Sequence, residues 1–504
     1  MAKQFIYPFT FGDKSKSDLL GGKGANLAEM VQMGLPVPPG FTITTDACRE
    51  YLTTGIVPAQ LHDQIQVSLA NLEKIVGKNF GDASNPLLVS VRSGAKHSMP
   101  GMMETVLNVG ITPEVADAMA KSSGNEKFAW DSYRRFIDMF GRIVCDLPGE
   151  MVHKIEGEYL KKANVKVVAE LSASALKELA QDLIKAIEKF TNKPFPKKPI
   201  DHLTQSIEAV FKSWNSERAQ LYRRRERIPS DLGTAVNIQS MVFGNLSDDS
   251  GTGVAFTRNP ATGETGSYGD YLDRAQGEDV VAGIRNTMSL ADMSKKEPVV
   301  HAELERLMKT LEDHYRDLCD IEFTVERGKL WILQTRVGKR TAEAAFRIAT
   351  QLVDEGKISM DEALMRTSGD QLAQLMFPQF DLTANQNLIA TGIAASPGAA
   401  VGEIVFNSKR AFDLAKTGRK VILVRRETSP DDLVGMVAAE GILTSRGGKT
   451  SHAAVVARGM GKTAVCGTES ISVDEKLLQF SVGDLIVREG EVVSIDGTTG
   501  CVYL

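Results

Sequence analysis

Cysteine is scarce: Cys48, Cys145, Cys319, Cys466 and Cys501 are the five present in 504 residues, odd in number, scattered and never in a Cys-x-x-Cys arrangement. That pattern excludes a disulfide framework and a cysteine zinc site, and it is the pattern of reduced thiols in a cytoplasmic protein. No apolar run approaches the roughly eighteen residues needed to span a bilayer. The first eight residues lack the apolar core of a signal peptide. An excess of positive charge is also missing. With 59 Lys and Arg against 64 Asp and Glu, the net charge is -5, which argues against a general nucleic-acid binder. The run Arg223-Arg224-Arg225 is short and interrupted by Glu226, and reads as a local surface or anion-contacting feature. No long repeat or low-complexity tract interrupts the chain. Its 42% hydrophobic content is ample for the cores of about two to four domains.

Near the end of the chain stands Gly447-Gly448-Lys449-Thr450-Ser451-His452-Ala453-Ala454-Val455-Val456-Ala457-Arg458-Gly459-Met460-Gly461. The glycines end an apolar run, Thr450 or Ser451 can cap a helix, and the Ala/Val run propagates it. His452 then falls in the first turn, where unpaired N–H groups and the helix dipole favour an anion such as a phosphoryl group on the ring. A lone histidine at a helix start is ordinarily a solvated or capping residue, so this segment alone does not decide the matter.

Other segments add weight. Leu19-Leu20-Gly21-Gly22-Lys23-Gly24-Ala25-Asn26-Leu27 lacks the Walker spacing, but its glycines let backbone approach a ligand, and Leu27, Met30 and Val31 suit one face of a short helix. The apolar stretch Leu87-Leu88-Val89-Ser90-Val91 delivers Arg92 to a glycine- and methionine-rich loop through Gly101, which suits a flexible lid over polyphosphate. Residues 235–244 read as a strand buried on both faces. In residues 320–336 polar and apolar positions alternate, and Arg327-Gly328-Lys329 invites a hairpin with glycine at positive φ. A three-residue loop would place Asp320, Glu322, Gln334 and Arg336 on one face, whereas a two-residue loop would put Gln334 out of register with the acids. Acidic and amide oxygens on a rigid face suit Mg2+, and the arginine suits phosphate. The alternative is an ordinary amphipathic hairpin with a solvated face.

The histidine segment resembles the phosphohistidine signature of enzymes that shuttle phosphate between ATP and phosphoenolpyruvate, and most resembles the pyruvate, phosphate dikinase family. His452 matches the histidine that carries the phosphoryl group there. Lys449 departs from the pattern, which usually has methionine. The Val-Arg-Ser-Gly-Ala and Ser-Met-Pro-Gly-Met-Met runs match too, as do residues 235–244, 250–260 and 276–281. The resemblance implies ATP binding by Lys23, Arg92, Gly101, Asp320, Glu322, Gln334 and Arg336, with Asp320, Glu322 and Gln334 holding Mg2+. It also implies that Thr450 can be phosphorylated by a regulatory protein, although Thr450 can equally serve as a plain helix cap.

The expected fold is α/β and α+β multidomain: an ATP-grasp nucleotide-binding domain with helical insertions over residues 1–340, a helical connector and linker over 341–389, and a swivelling β/β/α phosphohistidine domain over 390–504. Residues Ala345, Ile348, Leu352 and Val353 sit at helical spacing, the chain turns polar after Phe377-Pro378, and residues 394–400 read as a hinge-like entry. The expected activity is ATP- and phosphate-dependent phosphorylation of His452, with the β-phosphate ending on histidine and inorganic phosphate taking the γ-phosphate to give pyrophosphate. Family members continue into a barrel with the pyruvate site, so the pyruvate step is not expected from this polypeptide alone. A phosphoenolpyruvate/pyruvate domain from a missing half or a separate chain is expected as a partner, with ATP, phosphate, a regulatory kinase and a second copy of the chain as others. Nucleic acid and membrane are not. Phosphoenolpyruvate synthase usually has cysteine at the position of Ser451, rifampicin phosphotransferases insert a further domain, and a non-catalytic phosphocarrier would not need the ATP and metal side chains.

Overall fold

The computed structural model describes residues 3–99, 101–282, 287–375, 380 and 387–504. It divides into two compact units, Met1–Val242 and Phe243–Leu504. The boundary falls inside the expected 1–340 nucleotide domain, because the histidine module packs in one unit with the sheet that carries Asp320.

In the first unit, strands β1 (Ile6–Pro8), β2 (Gly40–Ile43), β3 (Val89–Ala95), β4 (Thr105–Val109) and β5 (Thr234–Ser240) form an antiparallel sheet in the order β1-β2-β5-β3-β4. Every residue of the central β5 is buried, the polar Thr234, Asn237, Gln239 and Ser240 along with Ala235, Val236 and Ile238. The helix Ser17–Gln32 packs on β3 and β5. It is longer than its apolar spacing suggested, since a kink at Gly21 lets two helical pieces join. Several helices follow between Pro113 and Thr191. Among them, Glu126–Val144 is capped by the Asn125 side chain, which accepts from Phe128 N at 3.0 Å, and it buries Phe128, Trp130, Phe136 and Phe140.

The second unit holds two main sheets. The first comprises β6 (Gly251–Arg258), β7 (Thr265–Asp273), β8 (Met288–Ser289), β9 (Cys319–Glu326) and β10 (Lys329–Val337), all antiparallel, in the order β8-β7-β6-β9-β10. The helix Pro298–Tyr315 packs on β9, β10 and β6. The spacing of Ala345, Ile348 and Leu352 is that of the helix Ala342–Asp354, whose buried face joins Val254, Phe256 and Leu272 in one core. A helix assigned to the connector thus closes the core of this sheet. The Phe377-Pro378 transition lies outside the described residues.

The other sheet comprises β11 (Leu388–Thr391), β12 (Ile393–Ser396), β13 (Ala399–Val405), β14 (Val421–Arg425), β15 (Gly441–Thr444), β16 (Thr463–Cys466), β17 (Val492–Asp496) and β18 (Cys501–Tyr503), in the order β11-β18-β17-β13-β14-β15-β16-β12. Its centre, β13-β14-β15-β16, is parallel and its flanks are antiparallel. Parallel neighbours need crossovers, and the helices Ser408–Lys416, Leu433–Ala438 and His452–Met460 supply them. Residues 394–400 are not a free hinge: β12 and β13 weave them into the sheet, paired to β16 and β17. No helix among the described residues is long and apolar enough to cross a membrane. All five cysteines are free thiols. Arg223 corrects the surface reading of its run, for it is 4% exposed, with its guanidinium 4.1 Å from the Trp214 ring centroid. Arg224 and Arg225 are exposed.

Candidate phosphohistidine and nucleotide sites

His452 opens its helix just beyond the carboxyl end of the parallel strand β15, and Thr428 follows the carboxyl end of the neighbouring β14. Two polar side chains therefore converge where open α/β sheets ordinarily bind ligands. Ser451 is the helix cap, its hydroxyl accepting from Ala454 N at 3.5 Å. Thr450 does not cap; its hydroxyl donates to Asp270 Oδ2 at 2.7 Å and its N–H to the same oxygen at 3.1 Å. His452 Nδ1 lies 2.9 Å from Thr428 Oγ1. Nε2 is buried and makes no hydrogen bond among the described residues. Burial is the main influence on the ring and pulls its pKa down to about 4, against a smaller opposing pull from Asp431. The imidazole is therefore neutral near pH 7. In the tautomer whose Nδ1–H donates to Thr428, the free lone pair sits on Nε2, which is the form a nucleophile needs.

Arg458, 3% exposed, donates from Nη1 to Ala395 O at 2.8 Å and from Nη2 to Lys449 O at 2.6 Å. Burial lowers its pKa, and the nearby Tyr268, Cys466, Asp320 and Asp270 oppose that effect. The Lys449 ammonium stands 4.4 Å from the Tyr268 ring centroid. Gly448 permits this close approach, because a Cβ there would lie 2.9 Å from Asp270 Oδ2 and 3.0 Å from Thr287 Oγ1.

In the hairpin β9-β10, Arg327 (φ 49°) and Gly328 (φ 70°) form a two-residue turn closed by Glu326 opposite Lys329. Of the two loop lengths the sequence left open, the shorter is present. A bulge restores the register instead: Phe323 pairs with Ile332 and Glu322 with Gln334, so Leu333 is the extra residue. Asp320 consequently faces Arg336, and Arg336 Nε donates to Asp320 Oδ2 at 2.7 Å. All four predicted side chains share one face. The register carries that face onward through Phe256 and Val254 to Tyr268 and Asp270 on β7.

Asp320 is 4% exposed, and burial raises its carboxyl pKa, with Arg336 opposing and Glu322 adding to the rise. Two crowded carboxylates and an amide beside an arginine fit a hard dication that keeps water and phosphate oxygens as its other ligands. The described residues contain no group of three or more His, Cys, Asp or Glu that could hold a metal by itself.

The first unit carries Lys23, Arg92 and Gly101. Lys23 lies just after the Gly21 kink, and a Cβ at Gly94 on β3 would lie 3.4 Å from Lys23 Cβ, so the lysine and the arginine strand are adjacent. Arg92 sits within β3, not in the loop it was expected to enter. The loop is anchored at Met102, which is fully buried and whose carbonyl accepts from Arg218 Nε at 3.4 Å. Gly101 is exposed with φ 70°. Pro100 lies outside the described residues. Sequence reasoning missed Thr428, Tyr268, Asp270 and Arg458. The alternation Ser267-Tyr268-Gly269-Asp270-Tyr271 could have flagged the docking strand, but nothing local marks the partner of His452.

The model for the pyruvate phosphate dikinase AMP/ATP-binding domain matches residues 17–67, 52–303 and 289–357, which is more than half of the chain. The chain belongs to the pyruvate phosphate dikinase family. The model for the mobile domain of PEP-utilising enzymes matches residues 417–500 and so includes His452 and Thr428. Among curated dikinases, the pyruvate, phosphate dikinase of Rhizobium meliloti is 50% identical over 99% of this chain and 58% of its own length. That of Clostridium symbiosum is 49% identical over the whole chain and 58% of its own. The chloroplastic enzyme 1 of Arabidopsis thaliana is 49% identical over 98% of the chain and 52% of its own. The chain thus spans little more than half the length of the dikinases it matches.

Thr428→Val keeps the shape beside the ring and removes the Nδ1 partner. If His452 is a phosphoryl acceptor, its labelling should slow by about two- to tenfold, the range for one hydrogen bond, as read by single-turnover labelling. An unchanged rate, with the ring tautomer unchanged by NMR, would refute the assignment of Thr428 as the positioning residue.

Proposed function

We propose that this chain carries out the nucleotide half reaction of a dikinase: ATP and phosphate, with a metal ion, convert His452 to phosphohistidine and release AMP and pyrophosphate. The observation that carries the reading is the buried Nε2 of a neutral His452, held through Nδ1 by Thr428 in a module that rests on the face bearing Asp320 and Glu322. In this reading the Nε2 lone pair forms a bond to the β-phosphorus as the bond to the AMP oxygen breaks, and the γ-phosphoryl passes to inorganic phosphate. Lys23, Arg92 and Arg336 offset phosphate charge, and the loop at Gly101 covers it. Asp320, Glu322 and Gln334 would hold Mg2+, which supplies charge neutralisation at the phosphate oxygens when bound.

Thr450 is the site on which a regulatory kinase would act. The phosphoryl group of His452 would pass to a phosphoenolpyruvate/pyruvate domain, in a protein located in the cytoplasm. In this reading residues 1–340 take the nucleotide role, 341–389 the linking role and 390–504 the carrier role, with the helix Ala342–Asp354 of the linking segment also closing the core of the sheet that bears Asp320.

The test uses ATP labelled separately at the β and γ positions, with and without phosphate and with the metal added or chelated. The reading predicts β-label retained on the protein in acid-labile form, γ-label in pyrophosphate only when phosphate is present, and neither after chelation. Absence of label under every condition would point to a non-catalytic phosphocarrier.

A further inference from the structure

The contact between the histidine loop and strand β7 uses a residue that the reaction itself does not require. Lys449 is the one position in the histidine segment that departs from the pattern it resembles, and its ammonium is spent on an aromatic face. Nζ stands 4.4 Å from the centroid of Tyr268, a half-buried ring 6.4 Å from that of Phe256. The backbone just after this side chain is fixed. Arg458 donates to the Lys449 carbonyl at 2.6 Å, and the next residue, Thr450, is bound through N–H and hydroxyl to Asp270 Oδ2. Asp270 is held in turn, its Oδ1 accepting from Thr287 Oγ1 at 2.8 Å. Tyr268 and Asp270 belong to the same sheet face as Asp320 and Glu322.

We propose that Lys449 is a positioning residue: its cation–π contact with Tyr268 seats the histidine loop on the nucleotide-facing sheet and thereby aims His452 at the transferred phosphoryl group. This deepens the reading of His452 as phosphoryl acceptor and rests on it. A lysine chain has several rotatable bonds, so a fixed aromatic acceptor for its charge lowers the number of loop poses compatible with docking. Methionine at that position would supply apolar contact with the ring but no charge.

The full chain is compared with Lys449→Gln, Lys449→Arg, Tyr268→Leu and Tyr268→Phe. Three measurements are made: single-turnover labelling of His452 from β-labelled ATP, labelling of His452 by phosphoramidate, which needs no nucleotide site, and hydrogen exchange at the Thr450 amide. Lys449→Gln and Tyr268→Leu should slow ATP-dependent labelling about three- to tenfold and accelerate Thr450 exchange, without slowing the phosphoramidate reaction. Lys449→Arg and Tyr268→Phe keep the cation and the ring face and should stay close to wild type. Equal ATP-dependent rates in Lys449→Gln and wild type would overturn the proposal, and so would a parallel loss in both labelling reactions, which marks a residue that merely supports the loop. If wild type takes label from phosphoramidate but none from ATP, the nucleotide reading fails by itself. Thr450 exchange then decides the docking contact, and an unchanged rate in Lys449→Gln overturns it.

Discussion

His452→Gln is expected to abolish the acid-labile phosphoenzyme altogether, because glutamine has no nitrogen lone pair able to attack phosphorus. The amide nitrogen can still approach Thr428, so the loop should persist and the variant should fold. The same substitution reports on acid stability. The folded-state pKa of His452 is near 4, whereas the ordinary value is 6.5. Between those values the unfolded chain binds a proton that the folded chain refuses, so the contribution of this ring to stability is present above about pH 6.5 and is lost as pH falls towards 4. His452→Gln removes that dependence. Its melting temperature should fall less steeply than that of wild type over this window, and parallel curves would contradict the buried neutral ring.

Gly21→Ala is expected to be the most damaging change in the first unit. Gly21 adopts φ 66°, ψ 167°, a conformation close to glycine-only territory, and a Cβ there would lie 1.5 Å from the Gly94 carbonyl oxygen and 2.6 Å from its carbon. Both are backbone atoms of the arginine strand, so neither can swing aside as a side-chain tip would. The helix carrying Lys23 must lift from β3. We expect a loss of more than about 4 kcal/mol, in the class of severe single substitutions, seen as a melting temperature lowered by several degrees or loss of soluble protein, together with weaker ATP binding by calorimetry. A variant that melts within a degree of wild type and binds ATP normally would show that the kink is dispensable.

Local chemistry made part of this molecule readable. The helix opened by His452, its cap within the Thr450-Ser451 pair, the buried strand at residues 234–240 and the acid face of the hairpin follow from capping, alternation and glycine placement, all of which act over a few residues. The hairpin also shows where such reasoning stops. Its loop is the two-residue one that spacing alone puts out of register, yet the four side chains align because a bulge at Leu333 absorbs the extra residue, and no spacing rule announces a bulge. Residues 394–400 looked like a linker, being small, proline-containing and glycine-containing, but they supply part of an edge strand and the start of an interior one because partners at residues 463–466 and 492–496 are available. Thr428, Asp270 and Tyr268 were illegible for the same reason. Each matters through a neighbour distant in sequence, and one chain read alone carries no signal for that pairing.

The staple made by Arg458 has a practical consequence. It joins Ala395 on β12 to Lys449 in the histidine loop, and β12 is itself bonded into the sheet beside β16. Strand, loop and the His452 ring are therefore tied into one solid body. A reporter dye placed on a cysteine substituted at Leu388, which is 53% exposed on the opposite edge strand of the same sheet, would test whether that body moves during turnover without touching the histidine.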